Sequence, residues 1–471
     1  MTFTFLLEVI YFYGKGYKKM TVKKDFSEGS LFKNILIFSL PLIFTNLLQT
    51  FFNMTDIAVL GRFANPSSVG SVGSTTILVF LCTGILIGFG SAVNVIVAFF
   101  IGAKNEKDIC ETVHTSAIVC LVAGFLVGAA GIIFSRSVLN LMSTKPVLIE
   151  GAVLYFRIYM VGLPALAFYN FGNGILSAEG DTKSPLFFLF ISGIFNVVLD
   201  LLLVIHFKMD IAGVAIASVV ALYVSAFLVF VKLRRKTDSL ALRFSKLKVN
   251  KSKLVRLLKI AIPAGLQNAI FGFANIFIQI GVNSFDASMV VANSAASNSD
   301  PLVYNIMSAF YVACSTFIGQ NYGAGKKSRV LKSYFISLAL SFCFALFLGI
   351  LLFVFGRNFI SIFISDSVII ELGMKRLSIM AWSYCISAFM DCTIAASRGL
   401  GQTSVPTVIV ILGSCVFRIA WIFTVFAYLK TIESLYLLFA FSWTITAAAE
   451  IFYFARLYKR KFSVSALKTQ Q

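Results

Sequence analysis

Long apolar runs alternate with short polar segments along almost the whole chain. About 20 consecutive apolar residues, each rising about 1.5 Å in an α-helix, cross the roughly 30 Å hydrocarbon core of a bilayer. Each long run is sufficient for a tilted membrane helix and holds too few charges for a soluble one. The pattern therefore predicts an all-α polytopic membrane protein with twelve transmembrane helices. We place these helices at about 35–60, 70–100, 115–140, 150–177, 184–206, 210–232, 254–284, 287–318, 331–356, 370–397, 406–429 and 433–456.

The basic residues predict the orientation of these helices. If both termini are cytoplasmic, 30 of the 40 Lys and Arg residues fall at cytoplasmic ends, six fall outside and four lie within spans. Cytoplasmic loops carry an excess of Lys and Arg, so we expect a multi-pass protein of the cell (inner) membrane with cytoplasmic termini. The formal charge of +20 is spread over short loops and not clustered on one soluble face, which argues against nucleic acid as a partner.

Composition narrows the chemistry further. The chain is 59% hydrophobic and 13% charged. Its eight cysteines lie in or beside spans without paired loop spacing, so we expect no disulfides. The two histidines, His114 and His206, lie near loops and form no Cys/His cluster, so a transition-metal site has no support. The sequence contains no Walker motif, so it does not support transport powered directly by ATP hydrolysis.

The chain divides at its midpoint into two similar halves. The segment 232–259 carries eleven basic residues and one acid, Asp238, and is interpreted as a cytoplasmic linker that contacts anionic lipid headgroups. Landmarks repeat at separations of 222 or 221 residues, which indicates a duplication. Because six spans per half is an even number, the halves have parallel topology, with a cleft between them. The repeated landmarks are Pro41 and Asn46 with Pro263 and Asn268, Gly102-Ala103 with Gly323-Ala324, and Gly180, Thr182 and Pro185 with Gly401, Thr403 and Pro406.

These observations predict the domain boundaries. We expect a first lobe of six helices at 31–232, a basic linker at 233–253 and a second lobe of six helices at 254–457. A cytoplasmic leader at 1–30, of which 1–19 is interpreted as a possible start-site extension, and a cytoplasmic tail at 458–471 complete the chain.

The first half carries acids inside its apolar runs. Asp56 lies in the outer half of helix 1, and Asn196 and Asp200 lie four apart on one face of helix 5. Ser218 on helix 6 falls at a similar depth. Two neighbouring carboxylates in a low dielectric cannot both stay charged, so the set suits binding of a proton or of Na⁺. The alternative is that each acid is a satisfied structural group, for example Asp200 paired with Arg157.

The second half offers a weaker set of candidates. Asp300 and Arg418 both fall near mid-membrane. They either form a structural ion pair between their helices or leave an unpaired acid that attracts a cationic substrate. Asp391 also lies within a span, and Phe168 is a candidate for an aromatic cleft lining that accepts flat lipophilic cations. Glu450 lies close to the predicted inner end of helix 12, and we expect it to reach the headgroups.

Several motifs together resemble one known family, the multidrug and toxic compound extrusion (MATE) transporters. The resemblance covers essentially 31–460 and is distributed over both halves. In the first half it is carried by Ser39-Leu40-Pro41 followed by Asp56, Gly61 and Arg62, by Gly102-Ala103, by Gly180-Asp181-Thr182 with Pro185, and by Asn196 to Asp200. In the second half it is carried by Gly319-Gln320-Asn321-Tyr322-Gly323-Ala324-Gly325 and by Arg398-Gly399-Leu400-Gly401 with Pro406.

The resemblance implies two lobes that form a V-shaped cleft, and efflux of organic cations and other drugs against an inward flow of H⁺ or Na⁺. Asp56, Asn196, Asp200 and, more loosely, Ser218 match the positions of the family's first-lobe proton or cation site. The first three are also the metal ligands if the ion is Na⁺. Some members use a Glu in helix 7, but the span 254–285 contains no acid, so a second site of that type is not expected.

Three other functions fit the sequence less well. A lipid-linked oligosaccharide flippase of the same superfamily predicts extra spans or a cationic cleft. The candidate residues within spans here are instead more acidic (Asp56, Asp200, Asp300, Asp391) than basic (Arg157, Arg418). A membrane-embedded enzyme needs a nucleophile and a base at cleft depth, and no histidine lies mid-span. An ion channel needs a selectivity filter, and none is evident. We therefore expect a monomeric antiporter in the lipid bilayer, not an enzyme, with a small cationic and lipophilic substrate and no cofactor beyond the coupling ion.

Overall fold

The computed structural model describes residues 25–142 and 144–468, and this part of the chain is helical with turns and no strand. The predicted start-site extension at 1–19 lies outside the described residues. Eleven helices are long and apolar enough to cross a membrane, and the pair Pro146–Val161 and Leu163–Glu179, bent by 45°, supplies a twelfth crossing. The predicted twelve-helix, all-α fold is therefore confirmed.

We number the crossings α1 to α12 in chain order. They are α1 (Leu31–Phe63), α2 (Pro66–Gly102), α3 (Glu106–Leu141), α4 (Pro146–Val161 and Leu163–Glu179), α5 (Lys183–His206), α6 (Asp210–Arg235), α7 (Lys251–Val282), α8 (Ala287–Ser297 and Ser299–Gly323), α9 (Lys327–Ser361), α10 (Ser367–Gly399), α11 (Ser404–Leu429) and α12 (Ile432–Lys468).

The duplication is visible in the backbone. Gly180, with φ of 95°, follows the end of α4, and Gly401, with φ of 76°, follows the end of α10. Glycine suits both positions because it alone adopts positive φ without steric cost. A π-helical turn at Leu201–His206 in α5 recurs at Ile422–Phe426 in α11, again 221 residues later. The helices α1–α6 and α7–α12 thus form two lobes of the same design.

The lobes meet through α1 and α2 on one side and α7 and α8 on the other. Gly88 of α2 faces Gly265 of α7 so closely that a Cβ on Gly88 would lie 2.8 Å from the Gly265 Cα. Near the ends of the helices, Gly102 faces the backbone of Gln320 in the same way. Small residues permit this approach because no side chain separates the backbones.

We call the end of the bundle that carries the segment 25–30 and the loop 236–250 the basic face. Hydrogen bonds between the lobes run from mid-helix, where Asn305 Nδ2 donates to Thr50 Oγ1 at 2.8 Å, to the basic face, where Gln320 Nε2 donates to Ala178 O at 2.6 Å. Among the described residues no such bond lies nearer the opposite face. The lobes therefore form a V that is closed at the basic face and opens away from it.

The basic linker folds back onto the first lobe. Leu240 and Leu242 are buried, and Lys236 Nζ lies 2.5 Å from Glu179 Oε2. The backbone N–H of Arg243 donates to His114 Nε2 at 3.1 Å. The sequence suggested that this segment contacts lipid headgroups, but the structure uses much of it for contacts within the protein. Its alternating leucines supply the apolar surface that makes this docking favourable.

Candidate functional site

The packing of α1 on α5 places the first-lobe acids together. The ring of Phe52 on α1 lies directly against Gly193 on α5, where a Cβ would overlap it. One turn further along α1, Asp56 lies opposite Asn196 and Asp200, which are one and two turns further along α5. Because residues four apart share a helix face, the contact between Phe52 and Gly193 sets the register of the whole polar group.

The four candidates of the first lobe form one cluster with few internal hydrogen bonds. Ser218 Oγ on α6 donates to Asp56 Oδ2 at 2.9 Å. Asp56 Oδ1, Asn196 Nδ2 and both carboxylate oxygens of Asp200 are buried without a hydrogen-bond partner, and Asp200 is 0% exposed. Arg157 does not supply the missing donor, because its Nε donates to Ser135 Oγ at 2.8 Å.

This arrangement is electrostatically incomplete. The carboxyl groups of Asp56 and Asp200 interact at close range, and each has at least one oxygen without a donor. Two charged carboxylates so placed repel each other, and burying an unpaired charge costs several kcal/mol or more. A proton shared by the acids, or a cation bound between them, removes that cost. The cluster is thus suited to bind a proton or a small monovalent cation reversibly.

Two tyrosines on α4 complete the surroundings of the acids, and the sequence reasoning did not identify them. Tyr155 and Tyr159 stack with ring centroids 6.0 Å apart. Both lie close to Asp56, and Tyr155 also lies close to Asp200. Their spacing of four residues at similar depth was the signal in the sequence that pointed to a shared face.

The second lobe has no copy of this cluster. At the repeat separations of 222 and 221 residues, the positions matching Asp56, Asn196, Asp200 and Ser218 hold apolar side chains. These are Ile278, Phe417, Trp421 and Phe439. The π-helical turn that follows Asp200 is repeated, but the acid that precedes it is not. The duplicated scaffold therefore carries this cluster in one lobe only.

Asp300 belongs to a structural network in the second lobe. Its Oδ2 accepts from Arg376 Nη2 and its Oδ1 from Tyr384 Oη, both at 2.5 Å. Arg376 Nη1 also donates to Asn293 Oδ1 at 2.9 Å. The pairing with Arg418 that the sequence suggested is wrong, because α8 packs against α10, which carries Arg376, and not against α11.

Arg418 itself lies in the core of the second lobe and not in the cleft. Its side chain is almost fully buried, and its Nε donates to Ser442 Oγ at 3.1 Å. The guanidinium lies 4.7 Å from the ring centroid of Phe439 and 5.8 Å from that of Trp443. Cation–π contacts of this kind compensate part of the cost of burying the charge.

Phe168 is also a core residue in this conformation. Its exposed fraction is 9%, and its ring packs against Phe171 and Phe230 with centroids 5.4 and 6.4 Å away. That it lines the cleft in the other conformation stays a prediction. Asp391, by contrast, is half-buried on α10 and interacts electrostatically with Arg398.

Glu450 corrects a further expectation. It does not reach the headgroups, because it is 0% exposed and neither of its carboxylate oxygens has a hydrogen-bond partner. The reason is the packing of α12 on α10, which buries Glu450 near Arg398 and Asp391 instead of leaving it free to extend toward the headgroups.

The donor set also defines which ions suit the first-lobe cluster. Among the described residues, no group of three or more His, Cys, Asp or Glu side chains is placed to hold a metal ion. The oxygens of two carboxylates, an amide and a hydroxyl are hard ligands, which suit Na⁺ or a proton better than a transition metal. All eight cysteines are free.

Comparison with known proteins places these features in a family. The MatE family model matches residues 41–202 and 263–424, one segment in each lobe. The chain is 27% identical over 399 residues to the probable multidrug resistance protein YoeA of Bacillus subtilis (strain 168), covering 83% of this chain and 85% of that protein. It is 27% identical over 345 residues to an FAD transporter of Shewanella oneidensis, covering 72% and 75%.

Solved structures share the fold. The structure of a multidrug resistance MATE family transporter in an outward-facing conformation superposes with a TM-score of 0.87 at 19% identity, covering 94% of this chain and 99% of that one. The first segment matched by the family model contains Asp56, Asn196 and Asp200, and Ser218 lies beyond it.

Proposed function

Because this chain belongs to the MatE family of multidrug and toxic compound extrusion transporters, we propose that it is a secondary active efflux antiporter. It exports organic cations or other lipophilic compounds in exchange for H⁺ or Na⁺ by alternating access. Its basic face is cytoplasmic, in keeping with the positive-inside rule, so both termini are cytoplasmic and the V opens outward. The protein is a multi-pass component of the cell membrane.

The observation that carries this proposal is the incomplete cluster of Asp56, Asn196, Asp200 and Ser218. Of its seven side-chain oxygens and nitrogens, the structure gives a bond only between Ser218 and Asp56, and four of the others are buried without partners. A purely structural network is normally satisfied. Reversible occupation by a proton or Na⁺ explains why this one is not, and it ties ion binding to the packing of α1, α5 and α6.

Ion movement supplies the energy in this mechanism. One elementary charge that moves inward through 100 mV releases about 2.3 kcal/mol. If a monovalent cation leaves for each proton that enters, the electrical contributions cancel and the pH difference alone drives transport. Occupation of the cluster changes the relative stability of the two conformations, and that difference couples the ion to the substrate.

The test uses the purified protein in liposomes with a pH gradient and a Na⁺ gradient imposed separately. Transport of a fluorescent organic cation, ethidium, is measured for the wild type, Asp56→Asn and Asp200→Asn. We expect both variants to lose gradient-driven transport while the protein stays folded, because an amide donates to the remaining acid and removes the charge repulsion. The gradient that drives the wild type identifies the coupling ion.

A matched control is Glu371→Gln on α10. Glu371 is an acid at an exposed position, paired with Arg357 at 2.6 Å, and such surface pairs contribute little to stability. This variant should transport at the wild-type rate. Normal gradient-driven transport by Asp56→Asn and Asp200→Asn would refute the coupling site. Because the Shewanella relative is named as an FAD transporter, flavin transport is measured in the same vesicles to define the substrate class.

A further inference from the structure

The second lobe contains a buried acid that the proposed mechanism does not use. Glu450 on α12 is 0% exposed, and both of its carboxylate oxygens lack a hydrogen-bond partner. An ionised carboxylate in this situation is strongly unfavourable unless it is paired. Binding of one proton makes the carboxyl group of Glu450 neutral and removes this cost without a charged partner.

The charges around Glu450 come from neighbouring helices. Arg398 and Asp391 on α10 interact with it electrostatically, and Tyr453 on α12 lies beside it. No charged group of α7, which also packs on α12, interacts with Glu450. Arg418 on α11 and Tyr311 on α8 interact with Asp391 and not with Glu450. Arg398 is therefore the only cation whose charge acts on Glu450 among the described residues.

Arg398 is not bonded to either acid in this conformation. Its Nη1 lies 3.3 Å from Ser91 Oγ on α2, in the other lobe, and its Nη2 lies 3.4 Å from Gln267 Oε1 on α7. Its Nε is buried without a partner. Both bonds are long and go to neutral acceptors, whereas charge-assisted bonds to a carboxylate are shorter and roughly twice as strong. The guanidinium thus has a better partner nearby than the ones it uses.

One of these bonds depends on the closed contact between the lobes. Ser91 and Arg398 stay together only while α2 and the second lobe remain in contact. Any motion that opens the basic face moves Ser91 away and frees Nη1 of Arg398. Tyr304, Asp391 and Glu450 interact electrostatically with Arg398, and the two acids are able to accept from its guanidinium.

We propose that Glu450 is a second proton-binding site, in the second lobe, and that Arg398 switches between Ser91 and Glu450 as the lobes move. When the basic face is closed, Arg398 bonds Ser91 and Glu450 carries a proton. When it opens, the guanidinium turns to Glu450, the O–H bond of the acid breaks, and its proton passes to water at the basic face. The carboxylate and guanidinium then form an ion pair. On closure Arg398 returns to Ser91 and Glu450 binds a proton again. This inference rests on the alternating access of the proposed function.

The experiment separates this site from the first-lobe cluster. Two reporter labels are incorporated at Lys104 and Lys332, exposed positions on the basic side of the two lobes, in a chain that keeps its cysteines. Their separation is measured by pulsed electron paramagnetic resonance from acidic to alkaline pH. The Asp56→Asn, Asp200→Asn double variant serves as the background, because it removes the two first-lobe acids.

In this background we expect the labels to move apart as pH rises, because the open state binds one proton fewer. Glu450→Gln, which mimics the protonated acid, should abolish this pH response. Arg398→Gln should abolish it as well, because it removes the cation that stabilises the carboxylate. The matched control Glu433→Gln, the other acid of α12, pairs with Lys375 near the opposite face and should leave the response intact.

Two results would overturn the inference. The first is a flat pH response in the double-variant background, which leaves the first-lobe site as the only one and does not affect the proposed transport function. The second is a pH response that survives Glu450→Gln, and loss of that remaining response in Asp391→Asn would assign the proton to Asp391. Failure of the proposed function is seen separately, as absence of gradient-driven transport by the wild type.

Discussion

Gln320 ties the first half of the chain to the second lobe on the basic face, and its removal should shift the protein toward the conformation that is open on that face. The side chain is 0% exposed. Its Nε2 donates to Ala178 O of α4 at 2.6 Å, and its Oε1 accepts from the backbone N–H of Phe26 at 3.1 Å. The Gln320→Ala variant leaves both backbone groups buried without partners.

The size of the effect follows from these two bonds. A buried polar group that loses its partner costs about 1–3 kcal/mol. The cost applies while the basic face is closed, because opening exposes the Ala178 carbonyl to water. Water that enters the space left by the Gln320 side chain can bond these backbone groups and so offsets part of this free-energy cost. We therefore expect the equilibrium to shift by about 2 kcal/mol, which is roughly 30-fold, since 1.4 kcal/mol corresponds to a factor of ten.

The assay is the separation of labels at Lys104 and Lys332 at one fixed pH. Gln320→Ala should increase the fraction of molecules with widely separated labels. The control is Gln279→Ala. Gln279 is an exposed residue near the end of α7, and its Nε2 donates to Oδ1 of the nearby Asn283 at 2.8 Å. Equal distributions for Gln320→Ala and the wild type would refute the assignment of Gln320 as a contact that stabilises the closed basic face.

Three further predictions concern two close helix contacts and one ion pair. Gly193→Ala places a methyl group where the ring of Phe52 lies, so the ring must leave its place against α5 and the contact between α1 and α5 beside the acids is lost. Ethidium transport should therefore fall at least tenfold while thermal stability in detergent falls only modestly, and an unchanged transport rate would count against this contact. Arg376→Met leaves the Asp300 carboxylate with a single hydrogen-bond donor, so the free energy of unfolding should drop by about 2 kcal/mol. This loss is smaller than for a fully buried ion pair because Asp300 is partly exposed. Adding Asp300→Asn to the Arg376→Met variant should restore part of the lost stability. Gly102→Ala collides with the backbone of α8, so the closed basic face should be depopulated in the label measurement, and an unchanged label separation would count against this contact.

Much of the fold and part of the first-lobe site could be predicted from the sequence. The spans, the duplication and the grouping of Asp56, Asn196 and Asp200 follow from length, period and helical spacing, which are local properties of the chain. The partners of the second-lobe charges were not accessible. Asp300 pairs with Arg376, a residue 76 positions away that the sequence reasoning did not consider, because the choice depends on which helix packs beside α8.

By itself, the sequence determined that this protein crosses a membrane about twelve times in two repeated halves, because the energy of placing apolar or charged residues in a bilayer depends on composition and length alone. Only the tertiary structure decided which polar groups are satisfied. The unpaired oxygens of Asp200 and Glu450 and the bond from Arg398 to Ser91 depend on side chains from different helices meeting within about 3 Å. Depth along a helix can be counted from the sequence, but the direction of a side chain toward lipid, cleft or core depends on how the helices pack.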